Sequence, residues 1–312
     1  KVSQILLTSL AYSKISSSVL AMATNVIDSH LHVWASSKES TTFPYAEGQD
    51  PPESLADVAS KSALLEQMET AGVAGSLIVQ PINHKFDHSY VISAIKEHPE
   101  KFKGMLLHDP SLSSEEAVAR LEQLALKGFV GVRFNPYLWP SKGDRWENMS
   151  QGSGLAAFRR AGELQIPVGI MCFRGLQLHL DDIIQLLETC PDTTMVLDHF
   201  GFTSFSEDGN DAFQELLKLA KYPQLVVKIS ALFRLGDSAP YEKVRKERFE
   251  PLLQAFGPDS LMFGTDFPFV LEQEPSYSGM VKLVSSWIPS DDAQSAVMGK
   301  TAERLFGAWG SK

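Results

Sequence analysis

Val26-Ile27-Asp28-Ser29-His30-Leu31-His32 is an apolar β-run that turns ionisable on alternate residues. Side chains two apart on a strand share a face, so Asp28, His30 and His32 are expected side by side. Burying three titratable groups uncompensated costs several kcal/mol in total, at ~1–3 kcal/mol per unpaired polar group. Such a face must meet a metal, a partner or a substrate. An open doubly wound sheet would place a Gly-rich turn after its first strand. Here His-Leu-His stands instead.

Working outward, the same unit recurs: a short apolar strand, a turn, an amphipathic helix. The strands read as Val26–His32, Gly75–Gln80, Gly104–His108, Val130–Asn135, Val168–Phe173, Met195–His199, Leu225–Ser230 and Leu261–Asp266. Near-continuous apolar runs suit parallel strands covered on both faces. Helical patterns fall at Leu55–Ala71, Ser113–Leu126, Gly154–Leu164, Leu178–Thr189 and Ala212–Tyr222. Strand starts recur every roughly 34 residues, close to one βα unit each. Eight units closing on themselves predict an α/β fold, a single-domain (β/α)8 TIM barrel over residues 26–312.

Composition narrows the class. The chain has 312 residues, 44% hydrophobic, with 28 basic and 38 acidic side chains and a net charge of −10. Such a chain builds a large core and is neither disordered nor a disulfide scaffold. The acidic balance disfavours nucleic acid and anionic membranes, which require basic surfaces, and leaves a small-molecule substrate as the expected partner. Oligomeric state stays open. No window approaches the ~18 apolar residues of a membrane span. The two cysteines, Cys172 and Cys190, form no CxxC pair, which excludes a zinc knuckle and points to a reducing compartment. Residues 1–25 lack Asp and Glu and are rich in Ser, the character of an organellar targeting extension, although arginines are missing. Chloroplast and cytoplasm are both consistent with this.

Barrel active sites lie where strands end. Ionisable groups stand at those ends: Arg133, Asp198-His199 and Asp266, beside His30 and His32. Two long connections, Trp34 to Glu53 and Tyr137 to Gly154, follow the first and fourth strands and are candidate lid and specificity loops. His98 and His179 are expected on solvated helix positions, Cys172 as an inert buried thiol, and Lys228 against substrate or Asp198.

Asp28-Ser-His30-Leu-His32-Val-Trp, Leu197-Asp-His199-Phe-Gly201 and Phe263-Gly-Thr-Asp266-Phe-Pro268 together resemble the amidohydrolase superfamily. More narrowly they resemble its type 2 branch, which includes sugar lactonases, pyrone-dicarboxylate and sulfomuconolactone hydrolases, and carboxymuconate-semialdehyde decarboxylase. The resemblance runs from Val26 to about Phe306. It implies a barrel hydrolase whose divalent metal, zinc by ligand chemistry, is held by His30, His32, Asp266 and His199. Binuclear members carry a strand-four lysine and a strand-five histidine. Arg133 and Cys172 stand there instead, so one ion is expected. A metal-free variant remains open, with the same histidines donating hydrogen bonds. The implied activity is opening of a lactone or cyclic ester, with Asp266 as general base and His199 orienting the substrate. Arg133, Arg174 and Gln80 are placed to bind it, the arginines through paired contacts to a carboxylate. Non-oxidative decarboxylation and a non-catalytic binding barrel are the alternatives; the missing strand-five histidine weighs against the first.

Overall fold

The computed structural model describes residues 25–142 and 145–310. The proposed targeting extension therefore lies outside the described residues, Asn25 apart. Eight parallel strands follow one another in sequence order around a barrel: β1 (Val26–Leu31), β2 (Val73–Val79), β3 (Phe102–Leu107), β4 (Phe129–Phe134), β5 (Val168–Ile170), β6 (Met195–Leu197), β7 (Leu225–Ile229) and β8 (Leu261–Phe263). Between β1 and the chain leaving β8, His32 N–H donates to Phe267 O (2.7 Å) and Asp266 N–H to His30 O (2.8 Å). That seam draws the end of β1 and Asp266 together.

The outer layer includes α1 (Lys61–Ala71), α2 (Ser89–Glu97), α3 (Ser114–Ala125), α4 (Gly152–Glu163), α5 (Leu180–Thr189) and α6 (Glu207–Lys218). Capping explains several starts. Ser113 and Glu116 form a reciprocal capping box on α3, and the Ser60 hydroxyl accepts from Ala63 N–H on α1. Gly72, at φ 70°, ends α1 in the left-handed conformation that favours glycine. The predicted Leu55–Ala71 helix is two elements, a 3-10 turn at Glu53–Leu55 and then α1. Among the described residues no helix is long and apolar enough to cross a membrane.

The barrel interior is stratified. Ile27, Leu77, Val79, Met105, Val196, Val226 and Met262 form an apolar cluster with Phe306 and Trp309. Trp309 lies over Gly75, where a Cβ would come within 2.1 Å of its ring. Towards the strand C-termini the lining turns polar, with His30, Arg133, Asp198 and Lys228 all buried. Asp28 departs from the sequence expectation. The β1 register slips between Asp28 and Leu31, so Asp28 does not follow the two histidines. Its carboxylate accepts from Thr265 N–H (2.9 Å) and Thr265 Oγ1–H (2.6 Å), stapling the β1–β8 seam. Burial raises its pKa to about 6.

The first long connection is pinned rather than loose. The His84 ring accepts from Ala35 N–H (3.2 Å) and donates to Pro44 O (3.0 Å), and Ser54 reaches Glu272 beyond β8 (2.6 Å). The second carries a short antiparallel strand pair, Ser141–Lys142 against Arg145–Trp146.

Gly264 tests the seam. A Cβ there would fall 2.8 Å from His30 Cβ and 2.9 Å from His30 N, against backbone that cannot swing away. Gly264→Ala is expected to cost about 1–3 kcal/mol, as overpacking usually does. A denaturation midpoint equal to wild type would contradict this packing.

Candidate active site

His30 and His32 reach one point from the end of β1, and each is oriented from behind. His30 Nδ1 lies 3.1 Å from Asp198 Oδ1. His32 Nδ1 lies 2.9 Å from Val79 O, a carbonyl that can only accept, so Nδ1 carries the proton and Nε2 keeps its lone pair. Burial, reinforced by Lys228, pushes His30 down to about 3, and burial holds His32 and His199 well below the usual imidazole range. All three rings are therefore neutral near pH 7.

Behind His30 is a fully buried carboxylate. Asp198 takes Lys228 Nζ at 3.2 Å and Arg133 Nε at 3.0 Å. Burial alone would raise its pKa, but Lys228, His30 and Arg133 together hold it well below the ordinary carboxylate value. The sequence expectation that Lys228 meets substrate or Asp198 resolves to Asp198. Arg133 is 6% exposed with its Nε committed to this carboxylate.

Asp266 and His199 complete the group from strained backbone, at φ 63° and 49°. Non-glycine residues held in that region cost on the order of 1–3 kcal/mol and concentrate at functional sites. Asp266 Oδ2 accepts from Arg234 Nε at 2.8 Å. Its Oδ1 faces three imidazole nitrogens: His30 Nε2 at 3.9 Å, His32 Nε2 at 3.6 Å and His199 Nε2 at 3.8 Å. Burial raises the Asp266 pKa, and Arg234 offsets part of that. His199 Nδ1 sits 2.7 Å from Ser230 Oγ.

The donor set suits one divalent ion. Ligand atoms of His30, His32 and Asp266 all lie within 4.8 Å of one another. His30 Nε2 and Asp266 Oδ1 are buried with no hydrogen-bond partner among the described residues. Two neutral imidazoles and a carboxylate match the three-ligand protein sets of catalytic zinc. The Asp198–His30 contact is the arrangement by which a carboxylate behind a metal-binding histidine orients its ring.

Gln80 and Arg174 stand apart. The Gln80 amide donates to Lys85 O and Asp87 O (3.0 and 2.8 Å), leaving Oε1 buried without a partner. Arg174 is exposed, stacked 5.3 Å from the Tyr137 ring centre and 5.1 Å from that of Trp146, with no carboxylate paired to it among the described residues. It makes no hydrogen bond to the His–Asp group. His179, expected in solvent, is 5% exposed because its Nε2 meets the Tyr137 hydroxyl at 3.2 Å. Cys172 is buried, which pushes its thiol pKa up. Sequence reasoning missed Arg234, which lies in a 3-10 turn past β7. Only its proximity to the strand end signalled it.

The type 2 amidohydrolase family model, described as amidohydrolase, matches residues 27–308. The chain belongs to the amidohydrolase family. Over 126 residues this amidohydrolase is 33% identical to the L-fucono-1,5-lactonase of Burkholderia multivorans, spanning 36% of this chain and 42% of that protein. A Pseudomonas putida structure described as a candidate 2-pyrone-4,6-dicarboxylic acid hydrolase matches with TM-score 0.73 and 25% identity, covering 91% of this chain and 98% of that one. An amidohydrolase from Burkholderia multivorans with bound zinc matches with TM-score 0.64 and 21% identity, covering 90% and 99%.

The depressed histidines are expected to destabilise the amidohydrolase in acid, opposed in part by Asp28, whose raised pKa acts in the other direction. His30 lies at about 3, and His88 and His108 at about 4, each lowered first by burial. Below ~6.5 the unfolded chain binds protons that the fold does not, so stability falls as pH falls. Each such histidine contributes about 1.4 kcal/mol per pH unit, until pH nears its folded pKa. Denaturant midpoints measured from pH 7 down to pH 5 are expected to drop steeply; a flat series contradicts the buried neutral assignment.

Proposed function

We propose that this amidohydrolase opens a lactone or related cyclic ester of a small carboxylated or sugar-derived substrate. The observation that carries the reading is Asp266 Oδ1, faced by three imidazole nitrogens at 3.6–3.9 Å and without a hydrogen-bond partner among the described residues. The names of the lactonase and pyrone hydrolase relatives support the same class.

His30, His32 and Asp266, with His199 alongside, would hold one divalent ion, zinc by donor type. Such an ion polarises a carbonyl and lowers the pKa of bound water. The chain's own residues do the rest. The lactone carbonyl enters between the imidazoles, where an Nε2–H of His30 or His199 donates to the oxygen that gains negative charge; His32, with its Nε2 lone pair, does not. Asp266 takes a proton from the attacking water as its oxygen bonds to the carbonyl carbon. The ring C–O bond then breaks, and Asp266 returns the proton to the leaving alkoxide, giving a hydroxy acid. His199 orients the substrate. Arg174, set against the Tyr137 and Trp146 rings and with no carboxylate paired to it among the described residues, offers its guanidinium to a substrate carboxylate. Arg133 contributes its remaining nitrogens from the Asp198 side, and Gln80 its free Oε1. Residues 26–312 form the catalytic unit in this reading.

Incubation with a panel of sugar lactones and carboxylated pyrones, following acid release, tests the class directly; no acid from any member rejects it. Asp266→Asn should keep the fold and lower kcat by at least ~10²-fold, the scale of a lost general base. Turnover within a few-fold of wild type removes Asp266 from the mechanism. Arg174→Met should raise KM on the order of 10–100-fold for carboxylated lactones, and little for neutral ones, as loss of a charge-assisted pair does. Equal effects on both would make Arg174 structural.

A further inference from the structure

Behind His30, three polar atoms close a triangle. Lys228 Nζ lies 3.0 Å from His30 Nδ1 and 3.2 Å from Asp198 Oδ1, and those two atoms are 3.1 Å apart. All three side chains are fully buried. One proton decides how the triangle is connected.

If Nδ1 carries that proton, it donates to Asp198. His30 Nε2 then presents a lone pair towards Asp266 Oδ1, 3.9 Å away, and two electron-rich atoms face each other. If Nε2 carries it, Nδ1 accepts from the Lys228 ammonium. That group has three hydrogens and serves Asp198 with another. Nε2–H then faces Oδ1, donor towards acceptor. His32 has no such choice, because Val79 O only accepts.

We propose that Lys228 is a positioning residue that selects the Nε2–H form of His30 in protein stripped of divalent ions. The histidine thereby changes from a lone-pair ligand into a hydrogen-bond donor aimed at the same place. When an ion takes Nε2, the proton moves to Nδ1 and Asp198 accepts it. The Lys228–Asp198 pair satisfies both forms, so the site presents a polarising group to a carbonyl in either condition. The catalytic consequence rests on the lactone-hydrolase reading; the proton position does not.

Two-bond proton–nitrogen NMR of histidine-labelled, chelator-treated protein reads which ring nitrogen is protonated. Wild type should show His30 protonated at Nε2, and added zinc should move the proton to Nδ1. Lys228→Met should show Nδ1–H without zinc, since Asp198 is the acceptor left. Lys228→Gln should keep the wild-type pattern, because its amide N–H still donates to Nδ1 without a charge. With a lactone substrate, chelator-treated Lys228→Met should lose about 10²-fold in kcat, with KM within a few-fold and recovery on adding zinc. That is the scale of one missing oxyanion donor. Nδ1–H in chelator-treated wild type overturns the proposal without any variant having to fold, and so does an unchanged pattern in Lys228→Met. If no lactone turns over, the NMR result still decides the role of Lys228.

Discussion

Three imidazole nitrogens surround one carboxylate oxygen at 3.6–3.9 Å, too far for hydrogen bonds and too close for indifference. The rings cannot relax away, because each is tied from behind: His30 to Asp198, His32 to Val79 O, His199 to Ser230. Unsatisfied buried groups cost ~1–3 kcal/mol apiece, and the backbone at His199 and Asp266 is strained as well. A fold that selected only for stability would have collapsed this centre. The barrel sustains it through the β1–β8 seam, whose backbone hydrogen bonds fix Asp266 against His30.

Charge balance is the second constraint. Arg133, Lys228 and Arg234 bring three cations to a centre whose carboxylates are Asp198 and Asp266. Asp198 absorbs two of the cations and Asp266 shares one oxygen with the third. The remaining oxygen, Oδ1, is what the pocket offers to chemistry. This partition separates the two aspartates by environment. Asp198 is held ionised by its neighbours, while burial lifts Asp266 towards the range where a carboxylate accepts a proton readily.

The barrel was legible because strand and helix recur at near-constant spacing, and the strand-end ionisable residues stood out against apolar runs. His30, His32, His199 and Asp266 converge as the motifs implied, since strand order alone brings the ends of β1, β6 and β8 to one rim. Strand lengths were less legible: β5, β6 and β8 stop at Ile170, Leu197 and Phe263, short of the polar residues that follow. Those residues belong to turns whose backbone, positive in φ at His199 and Asp266, no propensity signals. Simple alternation misplaced Asp28, because one slip in β1 register re-aims every side chain before it. Arg234 and the burial of His179 depend on contacts between distant turns, which local pattern does not encode.

The central claim is that water, activated at Asp266, attacks a lactone carbonyl placed among the three histidines. Single turnover in oxygen-18 water, with mass spectrometry of the hydroxy-acid product, tests it most directly. The account predicts one labelled oxygen in the product carboxylate and none in its hydroxyl, since the ring acyl C–O bond breaks. Label in the hydroxyl, or a product that has lost carbon dioxide, would contradict it.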